Sequence, residues 1–472
     1  MPTLSFATLD RVPPKIARPS YDPRDIGIGI VHLGIGAFHR AHQAIYTDDA
    51  IAQNAGAWGI CGVSLRSPDV RDRLRPQDGL YTAVEKSPAG VNRRVIGSVR
   101  EVLFLGAERD AIDARLADRA TRIVTLTVTE KGYCHDPATG RLNFEHRDIA
   151  HDLANPREPA SVVGLLVAAL AARRDQSSGP LTVVCCDNLP HNGRVLHGLV
   201  AAFAQTRDAS LARWIEQNAS FPSTMIDRIV PATTTADIAG NDAALGLHDA
   251  APVVFEPFKQ WVIENQFVTE RPKWEAGGAQ FVADVAPFEA MKLRLLNASH
   301  SAFAYLGFLA GHEFIYQVAA EPVFVTFMRR FMDDEVTPTL EIPSGIDVAA
   351  YRGALVRRFA NPALPHRTQQ IAMDGSQKLP QRLLATARDN LAADRAMPLS
   401  TLAVAAWMRY VAGRDEKGRP IRVDDPLAAQ FSAIADLHRD DPRDLAQELL
   451  GIRAIFGDDL PRDPRFVRPV AD

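Results

Sequence analysis

The segment Met291 to His300, MKLRLLNASH, carries a lysine, an asparagine and a histidine at spacings that suit one helix. At about 100° per residue, Asn297 lies about 140° and His300 about 80° around from Lys292, so the three side chains can reach one cleft. A buried lysine amine gives up its charge readily and can act as a general base near neutral pH, with two polar positioners beside it. The alternative is a lysine that extends to water from a helix end, beside two hydrogen-bonded polar residues.

A loop of sequence GIGAFH, beginning at Gly34, follows the predicted strand Ile28 to Leu33 and opens a predicted helix. Glycines there allow a tight bend and let backbone amides approach a pyrophosphate, so Gly34, Gly36 and Phe38 are expected to bind a dinucleotide. The third glycine of such a turn is missing, and His39 stands in its place. A purely structural strand-to-helix turn is therefore the alternative.

Basic residues after the first two strands bear on the choice of cofactor. His39, Arg40 and His42 are either phosphate contacts or an exposed first helical turn, and their spacing favours neither. The tip of the second strand carries Arg66, which could stack on adenine or pair with a 2'-phosphate, while Asp69 is the nearest carboxylate. NAD is the expected cofactor, and NADP stays open.

The element pattern predicts an α/β fold in two domains. Short apolar runs predict parallel strands with crossover helices in the first half, at Ile28 to Leu33, Trp58 to Val63, Arg122 to Val128 and Leu181 to Cys186. The last two end in polar residues, and ligands bind at the carboxyl ends of such strands. Helical patterns dominate later, around 291–311, 318–333, 349–360, 379–394 and 399–412. We expect a dinucleotide-binding domain over 1–286 and a mostly helical substrate domain over 287–472.

Composition excludes several classes of protein. A chain of 472 residues with a formal net charge of -4 has no basic field for nucleic acid or an anionic membrane. No leader pattern or membrane-length apolar run occurs, so a cytoplasmic location is expected. The four cysteines include no pair with the spacing of a zinc or redox motif, and no metal site is predicted. A small soluble substrate fits these properties best.

Several long motifs together resemble one enzyme family. They occur in the order GIGAFHRAHQ, TVTEKGY, CDNLPHNG, STMIDRIVP, KLRLLNASHS and DGSQKLPQR, and they span residues 28 to about 385. The chain is similar to the polyol-specific long-chain dehydrogenases, which include mannitol 2-dehydrogenase, D-arabinitol dehydrogenase and the fructuronate and tagaturonate reductases. The resemblance implies a zinc-independent NAD(P) oxidoreductase with a Rossmann-type N-terminal domain and a mostly helical C-terminal domain.

The resemblance also assigns roles to residues. It implies that Lys292 removes the hydroxyl proton during oxidation and returns it during ketone reduction, that Asn297 hydrogen-bonds the reacting oxygen and that His300 orients the substrate. It implies that Asn188 is a second amide donor to the developing alkoxide, a small oxyanion hole. Further matching residues that line the polyol site are Asp227 and Lys378. Without zinc, an alcohol dehydrogenase needs another way to stabilise alkoxide, and a lysine with two asparagines provides one.

One departure bears on the substrate. Mannitol dehydrogenases have an arginine eight residues before the lysine that matches Lys378, whereas this chain has Gln370, and the run 366–378 is more similar to the fructuronate reductase branch. A uronate carries a carboxylate, for which a bidentate arginine is the natural partner. Arg367 and Arg382 are the candidates, with Lys378 and Lys131 as point charges, although arginines that cap helices would give the same pattern.

The leading hypothesis is reversible, NADH-dependent reduction of D-fructuronate to D-mannonate. Oxidation of a neutral polyol such as mannitol, arabinitol or sorbitol is the second hypothesis. A nucleotide-binding protein without catalysis is the third, although a mere binder has no need of a proton donor beside two oxyanion donors. The sequence marks no interface, so a monomer or a weak homo-oligomer is expected.

Overall fold

The computed structural model describes residues 1–136, 139–415, 417–439 and 441–471. Its backbone contacts divide the chain into two compact units, Met1–Ala286 and Pro287–Asp472. The first unit is built on β-sheets, and the second is helical. Each unit is described below by itself.

The N-terminal unit has three sheets and nine α-helices within the described residues. The strands are β1 Ile28–Leu33, β2 Gly59–Ser64, β3 Tyr81–Ser87, β4 Gly90–Ile96, β5 Val99–Phe104, β6 Ile123–Leu126, β7 Leu181–Cys185, β8 Ala219–Ser220, β9 Thr224–Asp227, β10 Val253–Phe255, β11 Gln260–Glu264 and β12 Gln280–Val282. The helices are α1 Ala37–Ala41, α2 Gln43–Gln53, α3 Asp69–Leu74, α4 Arg109–Ala117, α5 Arg147–Ala154, α6 Val162–Gln176, α7 Asn192–Arg207, α8 Ala209–Asn218 and α9 Thr235–Leu245.

The main sheet confirms the Rossmann-type fold. Its strand order is β5-β2-β1-β6-β7-β8, and every neighbouring pair is parallel. All residues of β2, β6 and β7 are buried, as expected for a parallel sheet that has helices on both faces. The direction of strand addition reverses between β1 and β6. In this class of sheet, ligands bind outside the carboxyl ends of the strands at that point.

Side-chain alternation along β1 divides the core into two layers. Val31 and Leu33 pack in one apolar cluster with residues of α6 and α7, including Leu166 and Leu199. Ile30, which points to the opposite face, packs with α2 and the strand β11, including Ile45 and Trp261. Each such buried aliphatic side chain contributes about 1.5–3 kcal/mol to the stability of the fold. The two layers hold the carboxyl ends of β1, β6 and β7 in fixed positions.

Two smaller sheets were not predicted from the sequence. They have strand orders β10-β3-β4 and β12-β11-β9 and contain both parallel and antiparallel pairs. β4 begins with exposed residues, and β10 and β12 have three residues each. Such short or half-exposed strands lack the continuous apolar run that reveals the buried parallel strands.

The predicted helix after the glycine loop is divided in two at His42. It begins at Ala37, ends at Ala41, and resumes at Gln43, because His42 adopts φ -130° and ψ -90°. The side chain of His42 is buried, and its Nε2 lies 3.0 Å from the carbonyl oxygen of Gln260. A tertiary contact therefore accompanies a break that helical periodicity does not reveal.

The C-terminal unit is mostly helical, as predicted. Its α-helices are α10 Ala286–Met291, α11 Ala298–Leu309, α12 Ile315–Val318, α13 Pro322–Arg330, α14 Val348–Phe359, α15 Thr368–Ala372, α16 Gly375–Leu379, α17 Ala385–Ala392, α18 Pro398–Val411, α19 Ala428–Leu437, α20 Pro442–Leu450, α21 Arg453–Phe456 and α22 Pro464–Ala471. Three π-helical segments interrupt this pattern, at Lys292–Asn297, Phe331–Val336 and Pro380–Leu384. In the parts of the chain that the structure describes, no helix is long and apolar enough to cross a membrane.

Candidate active site

The backbone after β1 has the geometry of a dinucleotide turn. Gly34 has φ +94°, and a Cβ atom there would collide with the carbonyl oxygen of Thr127, which follows β6. The Thr127 hydroxyl donates to the carbonyl oxygen of Gly34 at 3.0 Å, so the two strand ends lie against each other. A Cβ on Gly36 would meet only the Gly34 oxygen, at 3.8 Å. The turn therefore fits a dinucleotide: Gly34 makes the bend, and Gly36 leaves room for a pyrophosphate.

His39 stands at the position of the missing third glycine, and its side chain is buried. Its ring stacks on His32 with 3.4 Å between centroids and an angle of 16° between planes. Both rings are buried. Burial lowers the pKa of His32 to about 3, and burial and the neighbouring His32 hold the pKa of His39 well below its ordinary value. His39 is a neutral core residue, neither a phosphate contact nor part of an exposed turn.

Arg40 and His42 are likewise directed into the protein. The Arg40 side chain donates to the carbonyl oxygen of Ala251 at 2.5 Å, and both residues are buried. Phe38, a predicted cofactor contact, is half-buried and stacks on His42 at 5.1 Å. Arg40 and His42 are therefore neither phosphate contacts nor residues of an exposed first helical turn.

The remaining predicted residues of this unit lie at strand ends. Arg66 is exposed two residues beyond β2, Asn188 is exposed shortly after β7, and Asp227 is the buried last residue of β9. Asn188 thus stands at the carboxyl edge of the same sheet that presents the glycine turn. Arg66 is placed where a ribose or adenine would be read in a sheet of this type.

Lys292 and Asn297 mark the two ends of one π-helical segment. Its hydrogen bonds span five residues, as the bond from the Ala298 amide to the Leu293 oxygen shows. Because such a turn holds more residues than an α-helical turn, Asn297 lies closer to the direction of Lys292 than the 140° that an α-helix predicts. Lys292 is only 8% exposed. The expectation of a regular α-helix was wrong here, and the π segment brings the two side chains closer to one face.

Two arginines, Arg294 within the segment and Arg382 outside it, tie this segment to the rest of the C-terminal unit. Arg294 donates to the Thr339 carbonyl oxygen at 3.0 Å and to the Asp389 carboxylate at 2.5 Å. Arg382, a predicted substrate residue, donates through Nη1 to the Ser301 hydroxyl at 3.0 Å and the Asn297 carbonyl oxygen at 3.4 Å. The backbone that carries Asn297 is therefore fixed by a charged side chain from the π segment Pro380–Leu384.

His300 lies among rings and cations. Its ring is tilted against Phe359 at 5.0 Å and stacks on His366 at 5.7 Å, and its Nε2 atom is buried with no hydrogen-bond partner. Its pKa is well below the ordinary value, mainly because of burial and further because of the neighbouring His366 and the charges of Arg382, Arg358 and Lys378. His300 is thus a neutral imidazole with an unused polar atom. Such an atom can hydrogen-bond a sugar hydroxyl.

The other two predicted substrate residues have different surroundings. Lys378 donates to the carbonyl oxygens of Met373 at 2.5 Å and Ile371 at 3.4 Å, and it contributes to the field at His300. Arg367 pairs with Glu313 instead, with its side chain 60% exposed. The structure therefore groups Lys378 and Arg382 around His300 but directs Arg367 to a surface ion pair.

Comparison with known proteins identifies the family. The model of the mannitol dehydrogenase Rossmann domain matches residues 28–276, and that of the mannitol dehydrogenase C-terminal domain matches residues 284–472. The chain belongs to the mannitol dehydrogenase family. It is an oxidoreductase that acts on CH-OH groups.

The relatives of this protein within the family are named for different substrates. D-mannonate oxidoreductase of Escherichia coli is 47% identical and aligns over 96% of this chain and 94% of its own length. Mannitol 2-dehydrogenase of Pyricularia oryzae is 42% identical, with 96% and 91% covered. A solved structure of Pseudomonas fluorescens mannitol 2-dehydrogenase, a ternary complex with NAD and D-mannitol, superimposes with a TM-score of 0.88 at 42% identity and covers 99% of this chain and 95% of that one.

Sequence reasoning missed two residues of the site in this family member. Arg358 and His366 belong to the group around His300, yet each is more than fifty positions away along the chain, and no local spacing links them. The only available signal was their position: Arg358 precedes Phe359 in α14, and His366 begins the run 366–378 that was used to judge the substrate.

A possible set of metal ligands in the N-terminal unit was also missed. Cys134, His146 and Asp148 each offer one ligand atom, and these atoms lie within 4.8 Å of one another. Burial raises the pKa of the Cys134 thiol to about 11, which disfavours the thiolate that binds metal. The Nδ1 atom of His146 already accepts the Asp148 amide at 3.2 Å. These features work against metal binding, and we assign this cluster no role in the reaction of the mannitol dehydrogenase family.

Proposed function

We propose that this protein catalyses the NAD-dependent, reversible reduction of D-fructuronate to D-mannonate. The observation that carries the proposal is the cationic group around His300, on the helix that also carries the buried Lys292. Similarity to D-mannonate oxidoreductase supports the same substrate. NAD as cofactor is supported by the geometry of the glycine turn and by the NAD in the P. fluorescens complex.

The proposed chemistry assigns the proton to Lys292. In the reduction, the ammonium of Lys292 gives a proton to the ketone oxygen as that oxygen gains electrons, and in the oxidation the neutral amine takes it back. NADH, when bound, supplies the hydride. A site that leaves Lys292 only 8% exposed favours exchange between its two forms, because burial penalises the charged one.

Two asparagines are proposed to stabilise the charge on the reacting oxygen. The Nδ2 groups of Asn297 and Asn188 act as donors, and each donor of this kind is worth about 10²–10³ in rate in enzymes that stabilise oxyanions. Arg382 fixes the backbone of Asn297 and so limits the motion of its amide. The neutral His300 is proposed to orient a neighbouring hydroxyl through its buried Nε2. Asp227 is proposed as a further hydroxyl acceptor.

The charge around His300 favours an acid sugar over a neutral one. Arg358, Arg382 and Lys378 all act on His300 strongly enough to lower its pKa. A carboxylate among these groups gains Coulomb energy in a partly buried setting, whereas a hydroxyl of mannitol gains none. The side chain of Arg358 or Arg382 is therefore the proposed partner of the uronate carboxylate, and Arg367 is no longer a candidate.

Oxidation of a neutral polyol is the second candidate function. It is favoured by the 0.88 TM-score with the mannitol 2-dehydrogenase complex that contains NAD and D-mannitol. The two functions share the proposed roles of Lys292 and Asn297, so only the substrate separates them.

Oxidation of NADH by the purified protein with D-fructuronate and with D-fructose, at matched concentrations, tests the proposal, and the same assay with NADPH tests the cofactor. A kcat/KM that strongly favours D-fructuronate supports the uronate function. A preference for D-fructose moves the protein to the polyol function, and turnover of neither substrate contradicts both the uronate function and the oxidation of mannitol to fructose.

A further inference from the structure

Asp187, directly before Asn188, holds the loop that follows β6. Its carboxylate accepts hydrogen bonds from the amides of Val128 at 2.8 Å and Thr129 at 3.0 Å and from the Tyr133 hydroxyl at 2.6 Å. The first residues beyond β6 are therefore tied to the first residues beyond β7. Both segments lie at the edge of the sheet where a doubly wound fold binds its ligand.

The loop that Asp187 holds contains an unfavourable backbone conformation. Thr129 has φ +67° and ψ +158°, a region that is essentially restricted to glycine. The other described non-glycine residues with positive φ are aspartate, cysteine, serine or histidine, so Thr129 is the one β-branched residue among them. Such a conformation persists only where surrounding contacts impose it, and it occurs preferentially at functional sites.

The other side of Asp187 is held as firmly. Its carbonyl oxygen accepts the side-chain amide of Asn192 at 2.9 Å. Asn192, which is fully buried, also donates to the Thr224 oxygen at 2.8 Å and accepts the Thr224 amide at 2.9 Å. The Thr224 hydroxyl donates to the Cys185 oxygen at 2.6 Å. The exposed Asn188 therefore follows a residue that is fixed through both its side chain and its backbone.

We propose that Asp187 is a positioning residue that keeps Thr129 in its strained conformation and thereby presents Asn188 and the backbone of the 128–131 turn to the cofactor. The inference rests on the proposed NAD-dependent function. Asp187 touches none of the reacting atoms in this scheme and acts through Asn188 and the turn. A carboxylate is required because it alone accepts two backbone amides and a hydroxyl at once.

The test is NADH affinity, measured by fluorescence titration of the full-length protein without substrate. Asp187→Asn replaces one of the two carboxylate oxygens, which accept from Val128, Thr129 and Tyr133, by an NH₂ group that cannot accept. We expect NADH binding to weaken about tenfold, since hydrogen bonds to charged groups are stronger than those between neutral groups. Hydrogen exchange at the Val128 and Thr129 amides becomes faster in the same variant. Where substrate is turned over, kcat falls more than KM changes, because Asn188 is proposed to act on the reacting oxygen.

Asp249 provides a matched control in the same unit. Its buried carboxylate accepts the amides of Thr82 at 2.6 Å and Ala251 at 2.9 Å and the side-chain amide of Gln77 at 2.9 Å. Asp249→Asn therefore removes an equivalent set of bonds from a carboxylate whose partners lie outside the segments that follow β6 and β7. It is expected to lower thermal stability and leave NADH affinity unchanged, and equal losses of NADH affinity in both variants would overturn the proposal.

A double variant tests the role of strain. Glycine adopts the backbone conformation of Thr129 without penalty, so Asp187→Asn combined with Thr129→Gly is expected to recover about threefold of the lost NADH affinity. No recovery would contradict the part of the proposal that concerns Thr129. If Asp187→Asn does not fold, Tyr133→Phe removes one of the three donors, and unchanged NADH binding in that variant overturns the proposal.

The inference and the proposed function fail in different ways. A wild-type protein that binds no NADH contradicts the function itself and, with it, the inference. Wild-type binding with no difference between the Asp187 and Asp249 variants contradicts only the inference.

Discussion

The imidazole rings of His300 and His366 stack with 5.7 Å between their centroids and 19° between their planes. Burial lowers the pKa of both rings, and the positive groups around His300 lower its pKa further. Near neutral pH the pair is therefore uncharged, and the positive charge of this region belongs to Arg358, Arg382 and Lys378. Neutral rings are suited to hydroxyl groups, and the cations are suited to a carboxylate.

Arg358→Gln is expected to raise the KM for D-fructuronate about tenfold with little effect on turnover of D-fructose, because one charge-assisted contact to the carboxylate is worth about 1.5 kcal/mol or more. Arg357→Gln is the matched control, since the neighbouring Arg357 is exposed and absent from the groups that act on His300. Steady-state kinetics with both ketoses measures the effect. Equal losses with the two substrates would argue against a carboxylate contact.

Lys292→Ala is expected to lower kcat by about 10²–10⁴, the usual contribution of a general acid or base, while NADH affinity stays unchanged. The measurement combines steady-state rates with fluorescence titration of NADH. Lys273→Ala, at an exposed position of the N-terminal unit, should leave both quantities unchanged. Retention of full turnover by Lys292→Ala would remove Lys292 from the mechanism.

The buried pair His32 and His39 makes stability depend on pH. The folded protein keeps both rings neutral, with the pKa of His32 at about 3, whereas the unfolded chain binds protons below about pH 6.5. The stability of the fold is therefore complete above about pH 6.5 and falls as the pH decreases towards 3, by up to about 1.4 kcal/mol per pH unit for each histidine. Denaturant unfolding between pH 7 and pH 5 measures the slope in the range set by these pKa values.

His39→Phe removes one of the two titrating groups and keeps an aromatic ring against His32. We expect a shallower dependence of stability on pH in this variant, because His32 is then the one member of the pair that still contributes to the difference in proton binding. An unchanged slope would show that His39 is protonated equally in the folded and unfolded protein.

Substitution of the two glycines of the turn is expected to affect different properties, namely stability at Gly34 and NADH affinity at Gly36. Gly34→Ala places a methyl group against the Thr127 carbonyl oxygen at φ +94°, so it is expected to destabilise the fold by about 1–3 kcal/mol. Gly36→Ala has space in the free protein and is expected to keep its melting temperature while NADH affinity falls. Melting curves and NADH titrations of both variants measure this contrast. Loss of stability in Gly36→Ala would contradict the assignment of its open side to the cofactor.

Much of the fold follows from local sequence. The apolar runs of β1, β2, β6 and β7 are buried on both faces of a parallel sheet, and such runs are visible along the chain without knowledge of the partner strands. The glycine turn after β1 and the segment from Lys292 to His300 are also local, since each needs only neighbouring residues in register. For these features, residue type and spacing carry the information.

Tertiary structure decided the features in which distant groups compete. Long-range packing buries His39 beneath the glycine turn, pairs Arg367 with Glu313 and brings Arg358 and His366 to His300. The hydrogen bond from the Thr129 amide to the Asp187 carboxylate likewise joins residues 58 positions apart. The sequence by itself determined the Rossmann-type sheet and the residues that could carry the proton. Only the folded chain decided which charged groups surround His300, because contact energies between distant residues have no periodic signature along the chain.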